Sequence, residues 1–226
     1  MPHPLDNPTW NALISHNSHL GDGNERARYF HSDVSPFVAL PDNSADGFHA
    51  LYEMITHQQP LLLETPEEIS IPENWKTLNC ITGIQMVCNN PNDIAFTGPE
   101  PAPLNDTHIP EMIALTKLTD PGPFRTHTID FGHYRGIFSG DQLVAMAGQR
   151  LHAFDYAEIS AVCTHPDHLG KGYAKTLLSY QINRIAKAGA IPFLHVRADN
   201  HRAIGVYESL GFSTRGTVYF YVFLKK

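Results

Sequence analysis

Two short segments of this 226-residue chain hold side chains and spacings that can do chemistry. The first is Leu169-Gly170-Lys171-Gly172-Tyr173-Ala174, directly ahead of a helical pattern. Glycines at 170 and 172 let main-chain N–H groups come close to an anion with no side chain in the way. The helix that follows begins with unpaired N–H groups and the positive end of its dipole, so a phosphate is the natural guest. This is not a dinucleotide fingerprint, because no third glycine stands at the required place. Nor is it a P-loop, because Lys171 lies between the glycines and no Gly-Lys-Ser/Thr follows. Taken alone, the turn is also compatible with a tight bend that binds nothing. The second segment, Asn200 to Phe212, reads NHRAIGVYESLGF and presents the phenol of Tyr207.

Regular elements must position both segments. Ala174, Leu177, Leu178, Gln181, Ile182 and Ile185 share one helix face, with Gln181 the polar interruption. Lys187 falls in the last turn and Gly189 is placed to end the helix. Ahead of the turn, Ile159, Val162 and Cys163 suit a buried strand that Pro166 stops. Ile191 to Val196 reads as the next strand. Asp199 or Asn200 can then cap a helix whose Ala203, Val206, Tyr207 and Leu210 share a face, and Gly211 ends it. Thr217 to Leu224 is a run of β-formers. Strand, turn, helix and strand in that order imply a parallel pair with a crossover helix.

On these two signatures, HPDHLGKGYA after a strand and NHRAIGVYESLGF after the next, the chain resembles the GNAT N-acetyltransferase superfamily. The likeness runs from about Glu111 to the C-terminus and is nearest to the glycine N-acyltransferase-like branch. It implies an α/β fold with a mixed sheet: an acyl-CoA N-acyltransferase domain over 106–226 and a degenerate GNAT-like module over 1–105. It implies acetyl-CoA as co-substrate, with its pyrophosphate on the N–H groups of Leu169 to Ala174. Asn200 and Tyr207 would sit beside the pantetheine arm and the thioester. Two positions depart from the family pattern. Asp167 and Leu169 stand where Gln or Arg is usual. An aspartate facing a pyrophosphate would be unfavourable, so Asp167 is expected to point outward. Lys171 either adds a point charge or is simply solvated.

Acetyl transfer to a primary amine needs a neutral amine, and a free alkyl amine has a pKa of about 10. Glu158 is the first candidate base, because the family often uses a glutamate at this place through water. The alternative is a solvated carboxylate at a strand end, and His152 and Tyr156 are the fallback bases. A strand N–H near Val162, Cys163 or Thr164 would hold the carbonyl oxygen. By resemblance, Tyr207 is the general acid for the departing sulfur; otherwise it is a core tyrosine. Cys163 as a covalent carrier is disfavoured, because it lies mid-strand with no basic neighbour. The expected mechanism is direct transfer in a ternary complex. A non-catalytic coenzyme-A-binding sensor on the same fold is the alternative, and a scaffold without its ligand is another.

Composition agrees with an enzyme of the cytoplasm. Hydrophobic residues make up 42% of the chain and the formal net charge is −7. The acidic balance argues against nucleic acid as a partner. No apolar run approaches a membrane span, and MPHPLDNPTW has neither a basic start nor an apolar core of a leader. Cys80, Cys88 and Cys163 are odd in number and lack metal spacing, so reduced, mostly buried thiols are expected. His165 and His168 lack further ligands nearby, so no metal is expected. His195, inside a strand, would face a pocket or the other side of the sheet. The partner is a small-molecule or peptide amine, and a homodimer is compatible with the sequence.

The first half carries no phosphate turn. Helices are expected over 9–15 and 45–56, and strands over 60–63 and 81–87. Thr97 to Thr107 is a proline-rich connector. Beyond it, helices are expected over 110–119 and 125–131, then a meander that turns at Ser139-Gly140-Asp141 and gives a strand over 143–150.

Overall fold

The computed structural model describes residues 3–91, 94–95 and 98–226. Among the described residues, eleven strands form one mixed sheet. They are β1 (Gly21–Gly23), β2 (Arg28–Phe30), β3 (Phe37–Ala39), β4 (Leu61–Thr65), β5 (Trp75–Val87), β6 (Ala102–Pro103), β7 (Arg135–Ser139), β8 (Gln142–Ala153), β9 (Tyr156–Thr164), β10 (Ile191–Arg197) and β11 (Ser213–Lys225). Five α-helices accompany them: α1 (Pro8–Leu13), α2 (Ala45–Met54), α3 (Ile109–Thr119), α4 (Tyr173–Lys187) and α5 (His201–Ser209). The strand order is β1-β2-β3-β4-β11-β5-β10-β9-β8-β7-β6.

Two features of that order position the site. β9 and β10 are parallel, as a crossover through α4 requires, yet they pair only at Tyr156–Ile191, Ala157–Pro192 and Glu158–Phe193. Beyond those pairs β9 stays on β8 as far as Thr164, while β10 stays on β5 as far as Arg197. The two strands therefore part like a wedge. The second feature is β5. This strand of the first half lies between β10 and β11, antiparallel to both. Its 13 residues begin well before the expected strand over 81–87.

Both faces of the sheet are covered. On one face, Leu178, Ile182 and Ile185 of α4 pack with Ile159, Leu194 and Phe212. On the other, Leu5, Leu13 and Phe37 pack with Phe193 and Leu151, and Met112 and Leu115 of α3 pack with Met146 and Cys163. α4 carries the face read from its sequence, and even the polar Gln181 is buried: its Nε2 donates to the carbonyl oxygens of His133 and Ala147.

Several elements differ from expectation. The segment 125–131 yields only a short 3-10 turn over Thr128–Phe131. The Arg125 N–H there donates to Thr128 Oγ1 at 2.7 Å in place of a helical bond. The connector is not free along its length, for Ala102 and Pro103 pair with β7 as an edge strand, where a proline costs no ladder bond. Thr97, at its start, lies outside the described residues. Cys80 is exposed, whereas Cys88 and Cys163 are buried.

Candidate active site

The glycine turn meets the requirements of an anion cradle. Gly170 and Gly172 take φ of +80° and +79°, the left-handed region that other residues enter only with strain. Gly172 is the N-cap of the 15-residue α4. Among the described residues, the N–H groups of Gly170, Lys171, Gly172, Tyr173 and Ala174 donate to no acceptor, so five donors gather at one helix N-terminus. Among the described residues, a Cβ built on Gly170 or Gly172 would meet nothing within 4 Å. Asp167 points away, its side chain 85% exposed beside His165. Lys171 Nζ lies 3.2 Å from His168 Nδ1 on the exposed side.

A cavity of about 520 Å³ extends from this turn into the wedge. Val162, Cys163 and Thr164 of β9 form one wall, Leu169 and Ala174 one end, and Asn200 and Tyr207 of α5 the other side. From Ile159 onward the β9 edge that faces β10 has no strand partner. Ala161 sits in that stretch with φ +53°, and one extra residue is accommodated between Ser160 and Cys163 opposite Gly148 and Met146. This is a β-bulge, a device that re-aims backbone groups beside a site. Asn200, rather than Asp199, caps α5: its Oδ1 accepts from Ala203 N at 3.1 Å, while Asp199 pairs with Arg197. The cap sets the start of the helix whose second turn presents Tyr207. Burial pushes the Tyr207 hydroxyl up to about 12, so the phenol keeps its proton at neutral pH. Burial likewise pushes the Cys163 thiol up to about 11, which leaves it a poor nucleophile.

A second cavity, of about 480 Å³, lies on the opposite face of the sheet. Its walls combine Phe37, Leu62 and Ile81 of the first half with Phe220 and Val222, and Arg150 and His195 also line it. The two cavities share one boundary. Leu118 and Thr119, at the end of α3, line the first, and Asp120 to Arg125, the next residues, line the second.

Behind the second cavity lies a buried polar chain. Glu158 is wholly buried, and its carboxylate accepts from Arg150 Nε at 2.8 Å and from Arg150 Nη2 at 2.5 Å. His195 Nδ1 lies 2.8 Å from Glu158 Oε1, and its Nε2 lies 3.0 Å from the amide nitrogen of Gln85. Arg215 holds the Gln85 carbonyl at 3.0 Å, so the Gln85 amide group donates to the ring. The ring nitrogen facing Gln85 therefore accepts, and Nδ1 directs its hydrogen at Glu158. Burial alone would push the Glu158 carboxyl up, but the Arg150 guanidinium and the hydrogen bonds from Arg150 and His195 hold it down at about 2. Glu64 of β4 completes the chain. Its Oε1 accepts from Thr9, and its Oε2, 3.8 Å from His195 Nδ1, has no partner among the described residues. Burial pushes the Glu64 carboxyl up.

The structure gives the candidate bases surroundings that the sequence did not show. Glu158 is not a solvated carboxylate at a strand end. It lines neither cavity, and a carboxylate held near 2 by a guanidinium is a weak acceptor for an amine proton. His152 and Tyr156 lie at the closed end of the strands, stacked on His16 and bonded to His3 respectively. Burial and the neighbouring His16 push His152 down to about 4. Glu64 and Gln85 were not among the expected site residues. No local signal marks them, because they belong to the first half and reach the site only through sheet pairing: Gln85 on β5, between β10 and β11, and Glu64 on β4, beside β11.

Parallel strands parted beneath a glycine turn, with two cavities meeting where they part, are the arrangement of an acyltransferase. The family model described as FR47-like protein matches residues 134–222. A solved GNAT-family structure from Novosphingobium aromaticivorans is 32% identical over the whole of both chains, with a TM-score of 0.92. An acetyltransferase of Yersinia pestis is 33% identical over 119 residues, 51% of this chain and 74% of that protein. The N-alpha-acetyltransferase RimI of Mycobacterium tuberculosis is 35% identical over 88 residues, 37% of this chain and 54% of that enzyme. The chain belongs to the GNAT family of acetyltransferases. It spans only about half the length of that last relative. Among the described residues, no helix is long and apolar enough to cross a membrane, and no three His, Cys, Asp or Glu side chains converge as metal ligands would.

Proposed function

We propose that the protein transfers an acetyl group from acetyl-CoA directly to a primary amine in a ternary complex. The observation that carries this reading is the meeting of the two cavities along Leu118 to Arg125, where β9 and β10 part. Bound acetyl-CoA supplies an activated acyl carbonyl. The N–H groups of Gly170 to Ala174 hold its diphosphate. The unpaired β9 edge from Val162 to Thr164 offers N–H groups to the carbonyl oxygen as charge develops there. Tyr207, protonated at neutral pH, donates to the departing sulfur. Glu158 acts as a positioning residue that fixes Arg150 and His195, and the amine proton leaves to water in the open acceptor cavity.

Three further readings accompany this one. The glycine N-acyltransferase-like placement rests on the sequence signatures. The division into a first module over 1–105 and a catalytic module over 106–226 runs through one shared sheet, in which β4, β5 and β6 of the first part pair with strands of the second. A cytoplasmic setting fits three cysteines left unpaired. The test is thiol release from acetyl-CoA against a panel of amines, beside a thermal shift with acetyl-CoA alone. A raised midpoint with amine-dependent thiol release supports the enzyme. A raised midpoint with no release from any amine favours the non-catalytic sensor. No shift in the midpoint removes the coenzyme A site.

A further inference from the structure

The acceptor cavity carries charge in an arrangement that selects a substrate class. Three guanidinium groups line it: Arg125, Arg150 and Arg197. Arg150 is neutralised by Glu158 and Arg197 by Asp199. Arg125 is different. Its guanidinium donates to the carbonyl oxygens of Ser32 and Pro60, and among the described residues no carboxylate oxygen lies within 4.0 Å of it. Burial pushes its pKa down, and only Asp33, beyond contact distance, works against that, so the cation has lost water without a carboxylate in contact. Asp120 faces the same cavity, across Pro121-Gly122-Pro123 from Arg125. It directly follows Thr119, which lines the cofactor cavity. Along the chain the acidic group, which also acts on the charge of Arg197, thus follows the lining of the cofactor cavity directly, and the cation with no carboxylate in contact comes five residues later. Between and around them the surface is apolar, built from Phe37, Leu62, Ile81, Phe220 and Val222.

From this we infer that the acceptor is a free α-amino acid with an apolar side chain. Its ammonium group docks at Asp120, its carboxylate on the Arg125 guanidinium, and its side chain on the apolar wall. The inference rests on the acetyltransferase reading above and gives its acceptor. A cavity of about 480 Å³ has room for such a molecule. A planar guanidinium suits a carboxylate, which it can bind through two parallel hydrogen bonds. A peptide N-terminus or a simple amine would leave Arg125 partly buried and unpaired. Sites built around a polar partner reject analogues that lack it.

The experiment compares kcat/KM for L-leucine and L-phenylalanine with that for leucinamide, phenethylamine and a leucine-initiated tripeptide, read as free thiol at saturating acetyl-CoA. The free amino acids should exceed the other three by about 100-fold or more. R125Q should shrink that ratio to a few-fold, mainly through KM for the amino acid, and R125K should keep part of it. If R125Q does not fold, the wild-type ratio and R125K decide. Equal turnover of amide, amine or tripeptide overturns the inference, and so does an R125Q enzyme that keeps the full ratio. If acetyl-CoA raises the thermal midpoint but neither amino acid is acetylated, the amino-acid inference fails while the coenzyme A site stands. Absence of any acetyl-CoA shift brings down the parent reading instead.

Discussion

Glu158 and Phe193 are the last paired residues of two parallel strands that run apart beyond them. Glu158 lies at the vertex of the opening and points into a buried ion pair, not into either cavity. A firm vertex keeps the two walls at a fixed separation: β8 braces one strand and β5 the other.

Removing the charge at that vertex should cost stability before it costs chemistry. Replacing one partner of a buried ion pair strands the other charge, at about 3–5 kcal/mol. Glu158→Gln should therefore lower the unfolding free energy, read by denaturant titration, by an amount in that range. The Arg150→Gln, Glu158→Gln double variant should lose less than the sum of the two single variants. Strict additivity in a double-mutant cycle would show that the pair is not coupled.

The same residue sets an acid limb of stability. Its folded pKa of about 2 lies below the ordinary value of 4.5, so the folded state binds fewer protons than the unfolded state between those values. The stability it contributes is whole above about pH 4.5 and is lost as pH falls toward 2. At 1.36 kcal/mol per unit this amounts to about 3 kcal/mol. Glu64, pushed up by burial, has the opposite sign and weakens the fold as pH rises above 4.5. Glu158→Gln should flatten the slope of unfolding free energy against pH on the acid side, and an unchanged slope would assign that limb to other carboxylates.

Tyr207→Phe should cut kcat about 100-fold while leaving the acetyl-CoA dissociation constant nearly as it was, because the ring still packs against Phe212 and only the proton is gone. With the hydroxyl at about 12, the basic side of the rate profile below pH 11 should not change on this substitution. Full turnover by the variant would take Tyr207 out of the reaction.

Gly170→Val and Gly172→Val should each weaken acetyl-CoA binding about tenfold or more. The cause is the backbone, since neither site has an atom within 4 Å of the new Cβ, and φ near +80° costs a side-chain-bearing residue about 1–2 kcal/mol. Relaxing that strain turns the N–H groups away from a common point. Calorimetric titration with acetyl-CoA measures it, and an unchanged dissociation constant would place the diphosphate elsewhere.

Direct transfer also predicts that no acetyl-enzyme forms. With its thiol pushed up to about 11, Cys163 is protonated at neutral pH. The intact mass of the protein should be unchanged after incubation with acetyl-CoA and no amine. An acetyl adduct on Cys163 would replace the ternary mechanism with a covalent one.

The sequence by itself determined the parts governed by near neighbours. The 3.6-residue rhythm from Ala174 to Ile185, the glycines at 170 and 172 and the asparagine at 200 each act within a turn or two, so α4, its anion-ready start and the cap of α5 follow from residue order alone. Tertiary structure decided which strands would meet. Nothing near Trp75 to Val87 says that this strand will enter between β10 and β11, because ladder partners are chosen over separations of more than 100 residues. That insertion brings Gln85 to His195, and the same sheet places Glu64 behind it, while Phe37 and Leu62 wall the second cavity. Glu158 shows the difference most clearly. Its place on β9 was legible, but its charge state and its role depend on Arg150 and His195, and only packing at the vertex of the sheet could supply that pair of neighbours.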